Sequence, residues 1–217
     1  MAIHAIRREV QGLVESTGVQ GYLHELGEVS PDTLSHCEEV SDLTILTADK
    51  LLQLPEDQIA KLGYCALLHD IGKVDEEIAR IVGLPRQLDE NEARIVARHS
   101  YIGAGILNSV ADQNSGNIAE LLRTAAYIAY NHHNPMRLST NDGKATAFVS
   151  VIDRTQSIYS GDRPYPRYGI QSERPELTTD IFKVEDIAEN GGTPIIYGVD
   201  GLELAISAHD HMLCVSA

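Results

Sequence analysis

The sequence predicts a mainly α-helical protein with a small β-containing extension at its C-terminal end. Apolar residues recur at spacings of three and four through successive segments up to about residue 159, the mark of helices with one buried face. Ser, Asp and Pro stand where such segments begin, and Gly where they stop. After about residue 160 the chain becomes a Pro/Gly/Tyr loop and then alternates in the manner of strands.

The first helix is expected over 2–17, where Ile3, Ile6, Val10 and Leu13 fall on one side. Gly18 and Gly21 are expected to loosen the chain after it. Ser30-Pro31 is a helix start, with Ser as N-cap and Pro at the first helical position. That helix runs to about Leu52 and buries Leu34, Val40, Leu43, Leu46 and Leu51. Pro55 opens the next, which passes Leu62, Ala66 and Leu67 and delivers His69-Asp70, with Gly72 ending or bending it. Residues 74–84 form a short helix closed by Gly83 and Pro85. Asp89 with Glu92 has the form of a capping box. It opens a helix that carries Ile95, Val96, His99, Ile102, Ile106 and Leu107. A helix over 117–131 ends at His132-His133. A polar loop, 134–144, leads to a core helix over 145–159 that carries Asp153. Beyond the loop GDRPYPRYG, a short helix is expected over 176–189, then a β-meander from PIIYG, LELAIS and MLCVS.

The length of 217 residues fits one domain, or one domain with an appendage, and the 43% apolar content is ordinary for a globular chain. The 17 Lys and Arg against 32 Asp and Glu give a net charge of −15. No surplus of cations exists to neutralise a nucleic-acid polymer. A small anionic substrate stays compatible, because bound divalent cations reverse the local sign of a site. No apolar run is long enough for a membrane span, and charges interrupt the N-terminus where a signal peptide needs an apolar stretch. The expected location is cytoplasmic. Cys37, Cys65 and Cys214 are odd in number and widely spaced, so they read as reduced thiols.

Among nine histidines, five fall with two aspartates between positions 36 and 153: His36, His69-Asp70, His99, His132-His133 and Asp153. The separations suit several helices that each deliver a ligand to one point. Imidazole with carboxylate suits a borderline-to-hard metal. Any one of these histidines alone would read as a structural residue. As a set beside apolar helix faces, unpaired imidazoles would be costly. His4 and His24 read as surface or helix-end residues, and His209-x-His211 as a turn. Tyr159, Tyr165 and Tyr168 suit loop packing or stacking on a base.

The run LLHDIGK (67–73) resembles the signature of the HD superfamily of metal-dependent phosphohydrolases. His36 in TLSHCEEV resembles that superfamily's first ligand. LDENEARIVARHSYIGAGIL (88–107), NHHNP (131–135), Asp153 in VSVIDRTQSIY and DRPYP (162–166) resemble, in order, the HD-GYP branch. The likeness covers about residues 20–170. It divides the chain into an N-terminal helical segment (1–28), a catalytic HD-domain helical bundle (29–170) and the C-terminal extension (171–217).

The resemblance implies two or three divalent metal ions, iron or manganese favoured, with zinc, nickel or magnesium as further candidates. The implied ligands are His36, His69, Asp70, His99, His132, His133 and Asp153. Asp32 lies one turn before His36, where some relatives place a Glu for a third metal. Asp is shorter, and its alternative role is to favour the helix N-terminus electrostatically. Lys73 and Arg163 match positions that contact substrate phosphate, Arg163 one residue later than usual. Arg163 and Arg167 read equally as loop arginines. Asp70 is the expected bridging ligand. The implied reaction is attack on phosphorus by hydroxide formed from a metal-bridging water, with Lys73 absorbing phosphoryl charge.

The implied substrate is a nucleotide phosphodiester, foremost a cyclic dinucleotide such as cyclic di-GMP. The Gly-Tyr-Pro loop that follows HH in the HD-GYP branch is absent here. A nucleotide phosphatase or another cyclic-nucleotide phosphodiesterase is therefore the rival enzyme. A signalling protein that binds nucleotide or metal without turnover is the rival from another class. The partners implied are the small phosphorylated substrate and a second copy of the chain or a signalling protein, with neither nucleic-acid polymer nor membrane.

Overall fold

Helices account for most of the described residues between 2 and 159. The computed structural model describes residues 2–52, 54–133, 140–159, 205–206 and 213–214. In chain order the helices are α1 (Ala2–Thr17), α2 (Gln20–Val29), α3 (Pro31–Leu51), α4 (Glu56–Leu67), α5 (Glu76–Val82), α6 (Glu90–Ala97), α7 (His99–Asp112), α8 (Gly116–Asn131) and α9 (Asn141–Tyr159), with a 3-10 turn over Ile71–Val74.

The first helix buries Ile6, Val10, Val14 and Thr17, a stripe at spacings of four and three. It stops at Gly18, whose φ of 84° lies in the left-handed region that glycine adopts without strain. The chain is not loosened beyond that point. Gly21 lies inside α2, which buries Leu23 and Leu26. Two glycines in four residues masked this helix, and tertiary burial of its leucines outweighs their poor propensity.

Pro31 opens α3 at its first position as expected. Antiparallel to it runs α4, joined through Ser41 Oγ, which donates to the Gly63 carbonyl at 2.8 Å. Tyr64 Oη donates to Thr17 Oγ1 at 2.8 Å, tying α4 to the end of α1. One large core unites Ile6 and Val10 of α1, Val40 and Ile45 of α3, Ile59 and Ala66 of α4, Leu107 of α7, Leu122 and Ile128 of α8, and Phe148 and Ile152 of α9. A smaller cluster, Ile78, Ile81 and Val96, seats α5 and α6.

Three boundaries differ from the sequence reading. The helix that leads to His69-Asp70 ends at Leu67, before both residues. The expected single helix from Asp89 is two helices, α6 and α7, that meet at Arg98. Its capping box is present, with Asp89 accepting from the Glu92 N–H and the Glu92 side chain accepting from the Asp89 N–H. Lastly, α9 starts at Asn141, inside the expected loop, because Thr140 Oγ1 accepts from the Gly143 N–H at 3.0 Å and caps it. Ala205–Ile206 pairs antiparallel with Leu213–Cys214. The rest of the expected meander and the helix over 176–189 lie outside the described residues. Among the described residues, no helix is long and apolar enough to cross a membrane.

Candidate metal centre

Three of the histidines share one device. His69 follows the end of α4, His99 follows the end of α6, and His132 follows the end of α8. The last carbonyls of a helix lack intrahelical donors. Each of these rings reaches the carbonyl three residues back. His69 Nδ1 donates to the Ala66 carbonyl at 2.7 Å, His99 Nδ1 to Val96 at 2.6 Å, and His132 Nδ1 to Ala129 at 2.8 Å. An N–H committed to a carbonyl leaves Nε2 as the atom that faces the site, the usual outer-shell arrangement for a ligating imidazole. The break between α6 and α7 is therefore part of the site, since it frees the Val96 carbonyl for His99.

Asp70 sits at the middle. Its Oδ1 is 3.1 Å from His99 Nε2 and 3.6 Å from His132 Nε2. Its Oδ2 is 3.4 Å from His69 Nε2 and 3.9 Å from His36 Nε2. Asp153 Oδ1 lies 2.9 Å from His36 Nε2 and 3.6 Å from His69 Nε2. His133 Nε2 approaches His99 Nε2 at 3.1 Å. The candidate ligand atoms form overlapping groups within 4.8 Å of one another: Asp70 with His99, His132 and His133; Asp70 with His36 and His69; and Asp153 with His69 and His132. All seven ligands expected from the sequence converge.

Glycine makes this convergence possible. A Cβ on Gly72 would sit 2.0 Å from the His99 carbonyl oxygen and 2.5 Å from the Gly103 nitrogen. The turn after Asp70 thus lies directly against the first turn of α7.

Electrostatics calls for a cation at the centre. Burial lowers the pKa of His99 against the opposing pull of Asp70, with Lys73 and His132 adding to the fall, and burial with His132 and His99 lowers that of His133 to about 2. A neutral His99 with its Nδ1–H spent on the Val96 carbonyl offers only a lone pair to the Asp70 carboxylate it faces. His69 Nε2 and Asp70 Oδ1 are buried and make no hydrogen bond among the described residues, an arrangement that costs about 1–3 kcal/mol per group, more where charged. Burial opposes charge on His69, but the Asp70 and Asp153 carboxylates outweigh it and raise its pKa to about 10. Burial opposes charge on Asp70 and Asp153 too, yet Lys73 and the histidines around it hold Asp70, and His36 and His69 hold Asp153, well below the usual carboxylate range. Orphaned donors of this kind, all nitrogen and oxygen, fit divalent metal ions.

Lys73 is buried, and its Nζ donates to Asp70 Oδ2. It belongs to the cluster and is not a solvated helix end. Asp32 is exposed in the first turn of α3 and belongs to none of the clustered groups. Arg163 and Arg167 lie outside the described residues.

Sequence reasoning missed two residues here. Buried Gln156 accepts at Oε1 from His36 Nδ1, and its amide nitrogen donates to Glu39 Oε2. Each lies three residues after a ligand, Gln156 after Asp153 and Glu39 after His36, and that helical spacing was the available signal.

A search of curated proteins finds no match to this chain. The HD domain family is matched across residues 33–158, a stretch that opens just before His36 and closes just after Gln156. It takes in all seven clustered His and Asp residues and more than half of the sequence, and the chain therefore belongs to the HD domain family.

Proposed function

We propose that this protein is a metal-dependent phosphohydrolase that cleaves a nucleotide phosphodiester, with a cyclic dinucleotide such as cyclic di-GMP as the leading substrate. One observation carries the reading: Asp70 turns each carboxylate oxygen to a different group of histidines, so a single residue can join two metal positions. His36, His69 and Asp153 complete one position. His99, His132 and His133 complete the other.

Metal ions bound there would supply Lewis acidity and hydroxide at neutral pH. The chain's own residues do the rest. Helix-end carbonyls hold three imidazoles with Nε2 inward, so the site is preorganised before any ion arrives. Asp70 would hold an ion on each carboxylate oxygen. Lys73 brings a buried ammonium to the carboxylate, beside the place where phosphoryl oxygens would gather charge. Burial excludes water from the surroundings and strengthens each of these interactions.

The order of motifs along the chain supports a phosphodiester substrate, and the missing Gly-Tyr-Pro sequence keeps a nucleotide phosphatase as the second enzymatic reading. Fe or Mn is the proposed ion, and the cytosol the proposed location. A hydrolysis screen with Mn²⁺ or Fe²⁺ against cyclic dinucleotides, mononucleotides and a generic phosphodiester tests the proposal. Release of a linear dinucleotide or mononucleotide from the cyclic substrate is the expected result. Binding without product across the whole set would replace it with the signalling reading.

A further inference from the structure

The two metal positions share Asp70 but hold their histidines differently. His69, His99 and His132 are oriented by backbone carbonyls at helix ends. His36 lies inside α3, where the carbonyls one turn back accept the helix's own N–H groups. Its Nδ1 needs an acceptor from elsewhere, and Gln156 of α9 provides it.

The chemistry of that contact fixes its direction. The Glu39 carboxylate only accepts, so the Gln156 NH₂ must face Glu39. The amide oxygen then faces His36. An oxygen there requires the proton on Nδ1, so Nε2, 2.9 Å from Asp153 Oδ1 and 3.9 Å from Asp70 Oδ2, is the nitrogen a metal would take. Glu39 is exposed and Gln156 is buried, so the chain runs from the surface of α3 through α9 to the ligand.

Resting on the metal-centre reading above, we infer that Gln156, oriented by Glu39, is the positioning residue for His36, and that it makes the His36 metal position dependent on the α3–α9 contact while the His99 position is not. One position then has two backbone-oriented imidazoles, His99 and His132, and the other pairs backbone-oriented His69 with a His36 that answers to a side-chain relay.

Calorimetric titration of the metal-depleted full chain with Mn²⁺, alongside long-range ¹⁵N NMR of its histidines, tests this. Wild-type protein should show two binding events and His36 as the Nδ1–H tautomer. Gln156→Leu should weaken one event roughly 10–100-fold and leave the other unchanged. Gln156→Glu keeps an acceptor and should recover most of that loss. Glu39→Gln lets the amide turn over and should give a smaller loss in the same event. Equal weakening of both events, two unchanged events in Gln156→Leu, or an Nε2–H tautomer in wild-type protein would overturn the inference. The tautomer measurement needs no variant, so it decides even if Gln156→Leu fails to fold. A wild-type chain that takes up no divalent ion would instead overturn the metal centre itself, and the wild-type titration separates that outcome from the others.

Discussion

At the scale of the residue, His69 is where proton and metal compete most directly. Its folded pKa of about 10 arises because two buried carboxylates outweigh the burial that opposes its charge. In the metal-free chain a raised histidine stabilises the fold fully below its ordinary value of 6.5, and that contribution is lost as pH rises through about 10. Ligation needs the Nε2 lone pair, so metal must displace the proton. Near neutral pH, Mn²⁺ binding should therefore release about one proton from this group, and the release should fade as pH approaches 10. Titration in two buffers of different ionisation enthalpy measures it, and identical heats in both would contradict the assignment. Asp70 has the larger role in the proposed centre, since it faces both groups of histidines. Asp70→Ala should remove both ions and lower turnover by more than the roughly 10–100-fold that an outer-shell loss costs, with circular dichroism unchanged. Retained turnover would exclude Asp70 from the chemistry. The converging residues were legible in the sequence because HD, HH and the spaced His and Asp stand out as types. Gln156 and Glu39 were not, because Gln and Glu three residues along a helix are ordinary until the fold shows what they face.

At the scale of the element, the site is made at ends and breaks. Each of α4, α6 and α8 stops one or two residues before a ligand, and the carbonyls left over orient the rings. Periodicity reads apolar faces well, so most helices were visible in advance. It does not register a break that keeps the hydrophobic stripe in phase, and the α6–α7 junction at Arg98 is of that kind. Nor does it see α2, where Gly18 before the helix and Gly21 within it resemble a linker, or the start of α9, which depends on one hydroxyl at Thr140. Gly72 belongs to this scale too, because its lack of a Cβ lets the 3-10 turn meet α7. Gly72→Ala places a methyl carbon 2.0 Å from the His99 carbonyl oxygen. The backbone on both sides must shift, at a cost of about 1–3 kcal/mol or more. Because the shifted backbone carries His99 on one side and follows Asp70 on the other, metal affinity should fall together with thermal stability. A variant with wild-type melting and wild-type Mn²⁺ affinity would refute this account. At the other end of α6, Asp89→Ala removes the capping box and should cost about 0.5–2 kcal/mol by denaturant unfolding. The cap is remote from the Nε2 atoms, so metal stoichiometry should hold.

At the scale of the whole molecule, a strongly acidic chain surrounds a centre built from imidazoles. The net charge of −15 attracts any divalent cation to the surface, so stabilisation by added cations does not by itself report the site. Ligand type separates the two effects. Calcium prefers oxygen ligands in high number, whereas the centre offers mostly nitrogen, which suits Mn²⁺, Fe²⁺ or Zn²⁺. An ion that binds only the folded chain adds RT ln(1 + [L]/Kd), about 2.7 kcal/mol at a hundredfold excess over Kd. For a chain of this size each kcal/mol moves the midpoint by roughly 2–4 °C. Mn²⁺ should therefore raise the melting temperature by roughly 5–10 °C at that excess, and Ca²⁺ at the same ionic strength should reproduce only the surface part. A chelator should return the Mn²⁺ sample to the metal-free midpoint. Equal shifts from both ions would mean that the acidic surface, and not the seven converging ligands, takes up the metal.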